Sequence, residues 1–167
     1  MNFIKSFGLA CLSLAIVGCQ NQSSIIEVAD NYLQAVQSQD SQAFRQYRCL
    51  KDLLDSKNPS IDIAGWEIIG YAEKPDENDP DSSYYSVNAK ITSISNGIEV
   101  ENTWVIAVWE SEELLQHQKR IIVEVYQHID KMNKLLGKEP KNPPEELIPK
   151  RSDITDEKYC VTNMSRL

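Results

Sequence analysis

The two histidines of the chain, His117 and His128, are of the residue type most used for acid–base chemistry and zinc binding near neutral pH. They are eleven residues apart, close to three helical turns, so a helix would place them on one face with Glu113 and Glu124. Along the helix axis that spacing is roughly 16 Å, far more than a shared zinc ion allows. A pair such as Glu124 and His128 supplies two ligands at most. The pattern favours a solvated helix face over a metal or acid–base site.

The acidic segment 76–81 and the residues after it carry oxygens at alternate positions, Asp79, Asp81 and Ser83, as calcium loops do. The glycine that such a loop has at its sixth position is absent, and Lys90 stands where the bidentate glutamate belongs. We interpret the segment as a solvated loop and expect no bound metal.

Motifs for nucleophilic catalysis and for phosphate binding are absent from the sequence. There is no Gly-x-Ser-x-Gly, no Cys–His arrangement with an orienting partner, and the six glycines are scattered singly. We therefore assign no catalytic residue and no cofactor, and we expect a protein that is not an enzyme.

Aromatic side chains are concentrated on the predicted strands, and Trp66, Tyr85 and Trp104 are the candidates for the lining of a pocket for a small apolar ligand. More often such residues fill the core between a helix and the sheet.

Two cysteines, Cys49 and Cys160, remain once the first residues are set aside. An even pair in an exported chain favours a disulfide, which would close a loop of roughly 110 residues and contribute on the order of 4–5 kcal/mol. Two free buried cysteines are the alternative. No Cys-x-x-Cys spacing supports a redox-active thiol.

The N-terminus has the layout of a secretory signal, with the single cation Lys5 followed by the apolar run 7–17. The polar run 20–24 begins before the stretch reaches the 20 or so apolar residues of a membrane-spanning helix. The four residues Ile16-Val17-Gly18-Cys19 close the apolar run and resemble the lipobox of bacterial lipoproteins. This resemblance implies removal of residues 1–18 and attachment of lipid to Cys19, including a palmitate-type acyl chain. Residues 19–24 would then be a lipidated tether.

Lipid on Cys19 would hold the protein on the cell membrane or the outer membrane, with its domain facing the periplasm or the exterior. The chain has 17 basic and 25 acidic residues, a net charge of −8, and loss of Lys5 with the signal makes the balance more acidic. This sign argues against nucleic acid as a partner and against binding anionic head groups by charge.

The rest, 25–167, is long enough for a single domain with its own core. Apolar residues at helical spacing predict a first helix from Ile25, with the buried face Ile25, Ala29, Tyr32, Leu33 and Val36. A break at 39–41 precedes a second helix, which Asn58-Pro59 ends and whose buried stripe is Ala43, Phe44, Tyr47, Leu50 and Leu54.

After the second helix, apolar residues occur at every second position, which is the spacing of a strand. Segments 61–68, 85–91 and 98–108 alternate as strands, and Asn96-Gly97 between the last two predicts a hairpin turn. Residues 111–136 predict a long helix that Gly137 stops, with the helical stripe Leu114, Gln118, Ile121, Val125, Ile129, Met132 and Leu136. Such a stripe is most often core, and the alternative is that part of it projects and docks a partner. A proline-rich connector, 137–156, leads to a closing strand at 158–162.

The predicted order of elements is two helices followed by a curved antiparallel sheet. The helices contain the sequence Tyr32-Leu33-Gln34-Ala35-Val36, and then Asp40 before Phe44. This arrangement resembles the nuclear-transport-factor-two-like superfamily with its cystatin-like cone. The resemblance covers roughly 25–110 and the last strand. It implies an α+β cone; superfamily enzymes place acids and histidines inside it, and no residue here matches such a position. The long helix departs from the pattern and would fill or cover the mouth of the cone.

From the sequence we expect an α+β domain with two N-terminal helices on a curved antiparallel sheet and a long helix before the last strand. The function we expect is that of a membrane-anchored envelope lipoprotein that binds a protein partner or assembly at the membrane surface. Binding of a small apolar ligand among the tryptophans is the alternative, and an enzyme of unknown class is the third.

Overall fold

A computed structural model describes residues 13–50 and 61–167, with side chains from Ser24 onward. Four strands form one antiparallel sheet in the order of the chain. Two helices precede the sheet and one lies before the last strand, which confirms the predicted α+β architecture. The elements are α1 Ser13–Gln37, α2 Ser41–Tyr47, β1 Ile63–Pro75, β2 Ser83–Ser95, β3 Ile98–Glu110, α3 Ser111–Leu135 and β4 Tyr159–Arg166, with short 3₁₀ turns at Glu145–Leu147 and Arg151–Asp153.

The larger core lies between α1 and one face of the sheet. Alternate residues of β2 point toward α1, and their partners on β3 do the same, because side chains in a strand alternate between faces. The predicted apolar face of the first helix is confirmed, since all five of its residues are buried there. The residues of this core include Ile25, Ala29, Tyr32, Leu33, Val36, Val87, Ala89, Ile91, Ile106 and Val108.

Helix α1 begins at Ser13, so the start predicted at Ile25 is wrong. No proline interrupts 13–24, and the backbone can therefore continue as a helix through the segment read as a tether. Cleavage after Gly18 and lipidation of Cys19 are covalent events, and they stay predictions. Residues 1–12 of the predicted signal segment 1–18 lie outside the described residues.

The break between the first two helices is confirmed. Asp40 caps α2, because its Oδ1 accepts the backbone N–H groups of Gln42 and Ala43 at 2.9 and 3.0 Å. The predicted length of this helix is wrong: α2 ends at Tyr47, and Leu50 bridges to Ile154 instead. Leu54 and Asn58-Pro59 lie outside the described residues.

The hairpin predicted at Asn96-Gly97 is confirmed. Both residues have positive φ, 53° and 77°, which is the twist that matches two antiparallel strands. Its strands pair in continuous register from Ser95 opposite Ile98 to Tyr85 opposite Val108.

The Cys49–Cys160 disulfide is present, as predicted, and joins positions separated by 111 residues. Backbone bonds support it: Cys49 donates its N–H to the carbonyl of Val161, and Thr155 donates to the carbonyl of Cys49. Around the sulfurs lies a second, smaller core with Trp109, Leu114, Leu115 and Ile154. This core holds both ends of the segment that contains α3 and the connector after it, because α3 starts after Trp109 and the chain returns through Ile154.

Candidate functional site

The sheet face opposite α1 carries a different set of side chains. Tyr84 of β2 and Trp109 of β3 lie on this face, and their rings stack with centroids 5.6 Å apart. Helix α3 starts two residues after Trp109, and its first turn is held by the buried Leu114 and Leu115. The beginning of α3 is therefore fixed against this aromatic pair.

His117 lies against the aromatic pair and is buried, with 7% of its surface exposed. Its ring centroid is 4.9 Å from that of Trp109. The prediction of a solvated position is wrong for His117, because the first turns of α3 pack on the sheet and position 117 faces the same side as Leu114. The prediction holds for His128, which is exposed. The spacing of three residues from Leu114 was the signal in the sequence that could have found this.

Asp79 ties the acidic loop to α3. Its Oδ2 lies 3.0 Å from Nδ1 of His117 and accepts hydrogen bonds from Nε of Arg120, at 2.8 Å, and from the hydroxyl of Ser82, at 3.0 Å. Arg120 also donates from Nη2 to the oxygen of Ser82. The interpretation of a freely solvated loop is therefore wrong at Asp79, which is bound to two residues of the helix.

The electrostatics of this cluster follow from its donors. The hydrogen bond to His117 is the largest cause that lowers the pKa of Asp79 well below its ordinary range; Arg120 and Ser82 lower it further, and burial opposes them. Asp79 is thus a carboxylate at neutral pH and only accepts, so Nδ1 of His117 carries the hydrogen of the shared bond. Nε2 is then the histidine nitrogen left to interact with water or a ligand.

A cavity of about 450 Å³, open to solvent, lies between α3 and this face of the sheet. Aromatic and apolar side chains in its lining are mixed with amide, hydroxyl and imidazole groups. The lining includes Tyr84, Trp109, Leu114, His117, Ile121 and Asn163. The arrangement can hold a small apolar group beside Leu114 and Ile121 and hydrogen-bond one polar edge of it.

The three residues proposed from the sequence as a pocket lining lie on the other face of the sheet, toward α1. Tyr85 and Trp104 are partly buried and pack against the larger core. Trp66 also packs there, and its Nε1 donates a hydrogen bond of 2.7 Å to Asp30. Burial raises the pKa of Tyr85. Nε1 of Trp104 is buried without a hydrogen-bond partner among the described residues.

The second half of α3 is more exposed to solvent than its first turns. Beyond Arg120 the predicted apolar stripe is exposed to solvent, and Val125 and Met132 each keep 51% of their surface exposed. We call this set the distal face: Ile121, Val125, Ile129, Met132 and Leu136. The segment after α3 returns along a neighbouring side of the helix, where Asp130 accepts the backbone N–H of Lys141 at 2.6 Å.

Within residues 13–50 and 61–167, no group of three or more His, Cys, Asp and Glu side chains is arranged to hold a metal ion. The carboxylate of Asp79, the first oxygen of the calcium-like pattern, is engaged by His117 and Arg120. No helix within the described residues is long and apolar enough to cross a membrane.

Comparison of the chain with protein-family models, with curated proteins and with solved structures found no match.

Proposed function

We propose that this protein is a lipid-anchored envelope protein that binds a protein partner or assembly at the membrane surface through the distal face of α3. The observation that carries the proposal is the exposure of that face. Five apolar side chains at helical spacing are open to water, between 36% and 63% exposed. Contiguous apolar surface of this kind marks interaction sites in soluble domains.

The packing of the first turns of α3 against the domain supports a docking role. Its first turn is held by Leu114 and Leu115 in the small core that surrounds the Cys49–Cys160 disulfide. Arg120 and His117 are held in turn by Asp79. The helix is thus fixed at one end, and an apolar helix face presented rigidly costs a partner less ordering entropy than a flexible segment would.

The anchor is proposed from the resemblance of Ile16-Val17-Gly18-Cys19 to a lipobox. Acyl chains on Cys19 would retain the domain at the cell membrane or outer membrane, since each buried methylene contributes roughly 0.8 kcal/mol. The fold likeness to the nuclear-transport-factor-two-like superfamily also stays a proposal. Its support is the order of two helices followed by an antiparallel sheet.

The anchor is tested by fractionation. Cells that express the wild-type chain and the Cys19→Ser variant are labelled with a palmitate analogue, and their membranes are washed at high salt. We expect label and salt-resistant membrane association for the wild type alone. Equal membrane retention of unlabelled Cys19→Ser would contradict lipid anchoring.

Docking is tested by purification from solubilised membranes. The variant Val125→Glu/Met132→Glu puts two charges on the distal face. A matched control, Ile94→Glu/Ile98→Glu, puts two charges on exposed apolar residues of the β2–β3 hairpin, which are 40% and 66% exposed. We expect the partner to be recovered with the wild type and the control and lost with the α3 variant. Recovery of the wild type as a monomer, with neither a second copy nor another protein bound, would contradict the proposal.

Binding of a small apolar ligand is the second candidate, and the cavity beside Trp109 and His117 favours it. Organic extraction of the purified protein followed by mass spectrometry tests it. The substitution Val105→Trp, at a residue of the cavity lining, should remove any extracted ligand. Extracts identical to a buffer blank would count against this function.

A further inference from the structure

Helix α3 contains a seven-residue repeat that continues from its buried start into its exposed end. A pair of adjacent residues occurs at every seventh position along the helix. A single residue lies between each pair and the next, four positions after the start of the pair. These alternating steps of four and three residues are the spacing of a coiled-coil seam. The pairs are Leu114-Leu115, Ile121-Ile122, His128-Ile129 and Leu135-Leu136, and the residues between them are Gln118, Val125 and Met132.

The first pair of the repeat is used within the domain, and exposure rises along the later ones. Leu114 and Leu115 are 3% and 2% exposed, whereas Leu135 and Leu136, at the equivalent positions three repeats later, are 81% and 63% exposed. Between them, Ile122 is half-buried, and Gln118 and Ile121 lie at the open cavity between α3 and the sheet. The returning connector, through the Asp130–Lys141 bond, lies along a different stripe of the helix. From Val125 onward the repeat therefore presents a seam that the described part of the chain leaves uncovered.

We propose that the occupant of this seam is the α3 helix of a second copy of the chain, packed antiparallel, a partner that rests on the docking function proposed above. In one antiparallel register every seam residue from Gln118 to Leu135 lies opposite a seam residue of the second copy. Each residue pair occurs twice, because the two copies are related by a two-fold axis. The pairs are Gln118 with Leu135, Ile121 with Met132, and Val125 with His128 of the second copy. Such a pair closes as a dimer and leaves no free end to propagate.

Charge complementarity selects this orientation. Residues that flank the seam set the orientation of paired helices by their charges. In the antiparallel register Glu124 lies across from Lys131 of the second copy, and Lys131 lies across from its Glu124. A parallel pair would place Glu124 across from Ile129 and His128 against its own equivalent. The dimer therefore gains two opposite-charge pairs in the antiparallel arrangement alone.

The length of the seam makes the pair dependent on the membrane. From Gln118 to Leu135 the helix rises roughly 26 Å, which is about two and a half heptads and short for a stable coiled coil in dilute solution. Confinement of two anchored copies to one surface raises their effective concentration, and this can increase apparent affinity by two to four orders of magnitude without a new contact. Dimerisation is thus expected to be stronger for lipidated copies held on one vesicle or in one detergent micelle than for the lipid-free domain in dilute solution.

Cysteine cross-linking tests both pairing and orientation. The full chain, processed and purified from membranes, is reconstituted into phosphatidylethanolamine–phosphatidylglycerol vesicles and treated with a short bis-maleimide. The double variant Ile121→Cys/Met132→Cys places the thiol at position 121 of one copy beside the thiol at position 132 of the other only in the antiparallel register. Within one helix these positions are roughly 16 Å apart, beyond the reach of the reagent. The controls are the single variants Ile121→Cys and Met132→Cys, which have equivalent residues adjacent only in a parallel pair.

We expect a covalent dimer from the double variant and none from either single variant. A dimer from Ile121→Cys alone would overturn the proposal in favour of a parallel pair. Absence of a dimer from the double variant, in protein that floats with the vesicles and keeps its helical circular dichroism, would overturn self-pairing. Flotation and the recovery of another protein in the membrane purification would still stand in that case, so failure here is distinguishable from failure of the proposed function.

A charge exchange in the double-cysteine background adds a test that does not depend on thiol geometry. Glu124→Lys and Lys131→Glu should each reduce the dimer yield about tenfold, because two attractions become repulsions. Glu124→Lys combined with Lys131→Glu should restore it. Glu99→Lys, a charge change on exposed β3, is the matched control and should leave the yield unchanged. Failure of the combined variant to recover would overturn the register.

Discussion

Equivalent positions of the α3 repeat should respond to truncation in opposite ways. Leu115 is 2% exposed and packs in the core around Cys160 and Ile154, whereas Ile129, two repeats later, is 38% exposed. Leu115→Ala removes buried methyl groups and leaves a cavity, which costs about 2–5 kcal/mol of the free energy of unfolding. Ile129→Ala removes side-chain atoms that are partly in water, and alanine has the better helix propensity by a few tenths of a kcal/mol. Its net effect should stay within about 0.5 kcal/mol.

Urea unfolding of both variants, followed by tryptophan fluorescence and circular dichroism, measures these differences. We carry them in the Cys19→Ser chain so that acyl chains do not interfere. The slope of the free energy against urea should be the same for both variants, with a lower midpoint for Leu115→Ala alone. A loss of more than 2 kcal/mol in Ile129→Ala would mean that the distal half of α3 packs in the domain. That result would refute the exposed docking face, and a neutral Leu115→Ala would refute the fixed base of the helix.

Three further perturbations test other parts of the structure. Replacing Cys49 and Cys160 together by alanine should cost on the order of 4–5 kcal/mol, from the roughly 110-residue loop released in the unfolded chain, measured as a shift in the urea midpoint. Asp79→Asn should destabilise the domain at pH 7. The pKa of Asp79 is lower in the folded protein than in the unfolded chain. Its carboxylate therefore stabilises the fold at pH values above the ordinary carboxyl pKa near 4, and this stabilisation is lost as the pH falls toward the lowered pKa. The difference between wild type and variant should therefore shrink between about pH 4 and pH 2 in thermal melts. Asp40→Ala should cost about 1 kcal/mol through loss of the α2 cap, measured by urea unfolding.

Each of these has a clear contrary result. Equal urea midpoints for the disulfide-free and wild-type chains would mean that the bridge does not constrain the unfolded state. A wild-type-minus-Asp79→Asn difference that grows on acidification would reverse the assigned sign of the linkage. An Asp40→Ala variant as stable as wild type would show that water replaces the cap.

The elements with a strong local signal were predictable from the sequence. Helix α3 was expected at 111–136 and lies at Ser111–Leu135, because Gly137, with φ of 66°, ends it. The Asn96-Gly97 turn and the alternating strands on either side followed from backbone preference and period alone. The Cys49–Cys160 pair followed from the even cysteine count in a chain read as exported.

What failed depends on contacts between distant positions. The helical period of residues 43–54 continued past Tyr47, but the disulfide and the Leu50 bridge to Ile154 draw that backbone toward the C-terminal segment. His117 was read as solvated because its partners, Asp79 and Trp109, are not neighbours along the helix. No local pattern connects an acidic loop to a helix that begins some thirty residues later. The cavity under α3 was missed for the same reason.

Native mass spectrometry of the protein taken from its own membranes in gentle detergent tests the central claim most directly. Wild type should carry the mass of residues 19–167 with acyl chains and one disulfide, and it should appear bound to a second protein molecule. Val125→Glu/Met132→Glu should carry the same covalent mass and appear alone. An unprocessed chain would contradict the anchor, and equal association of wild type and variant would contradict docking through the distal face of α3.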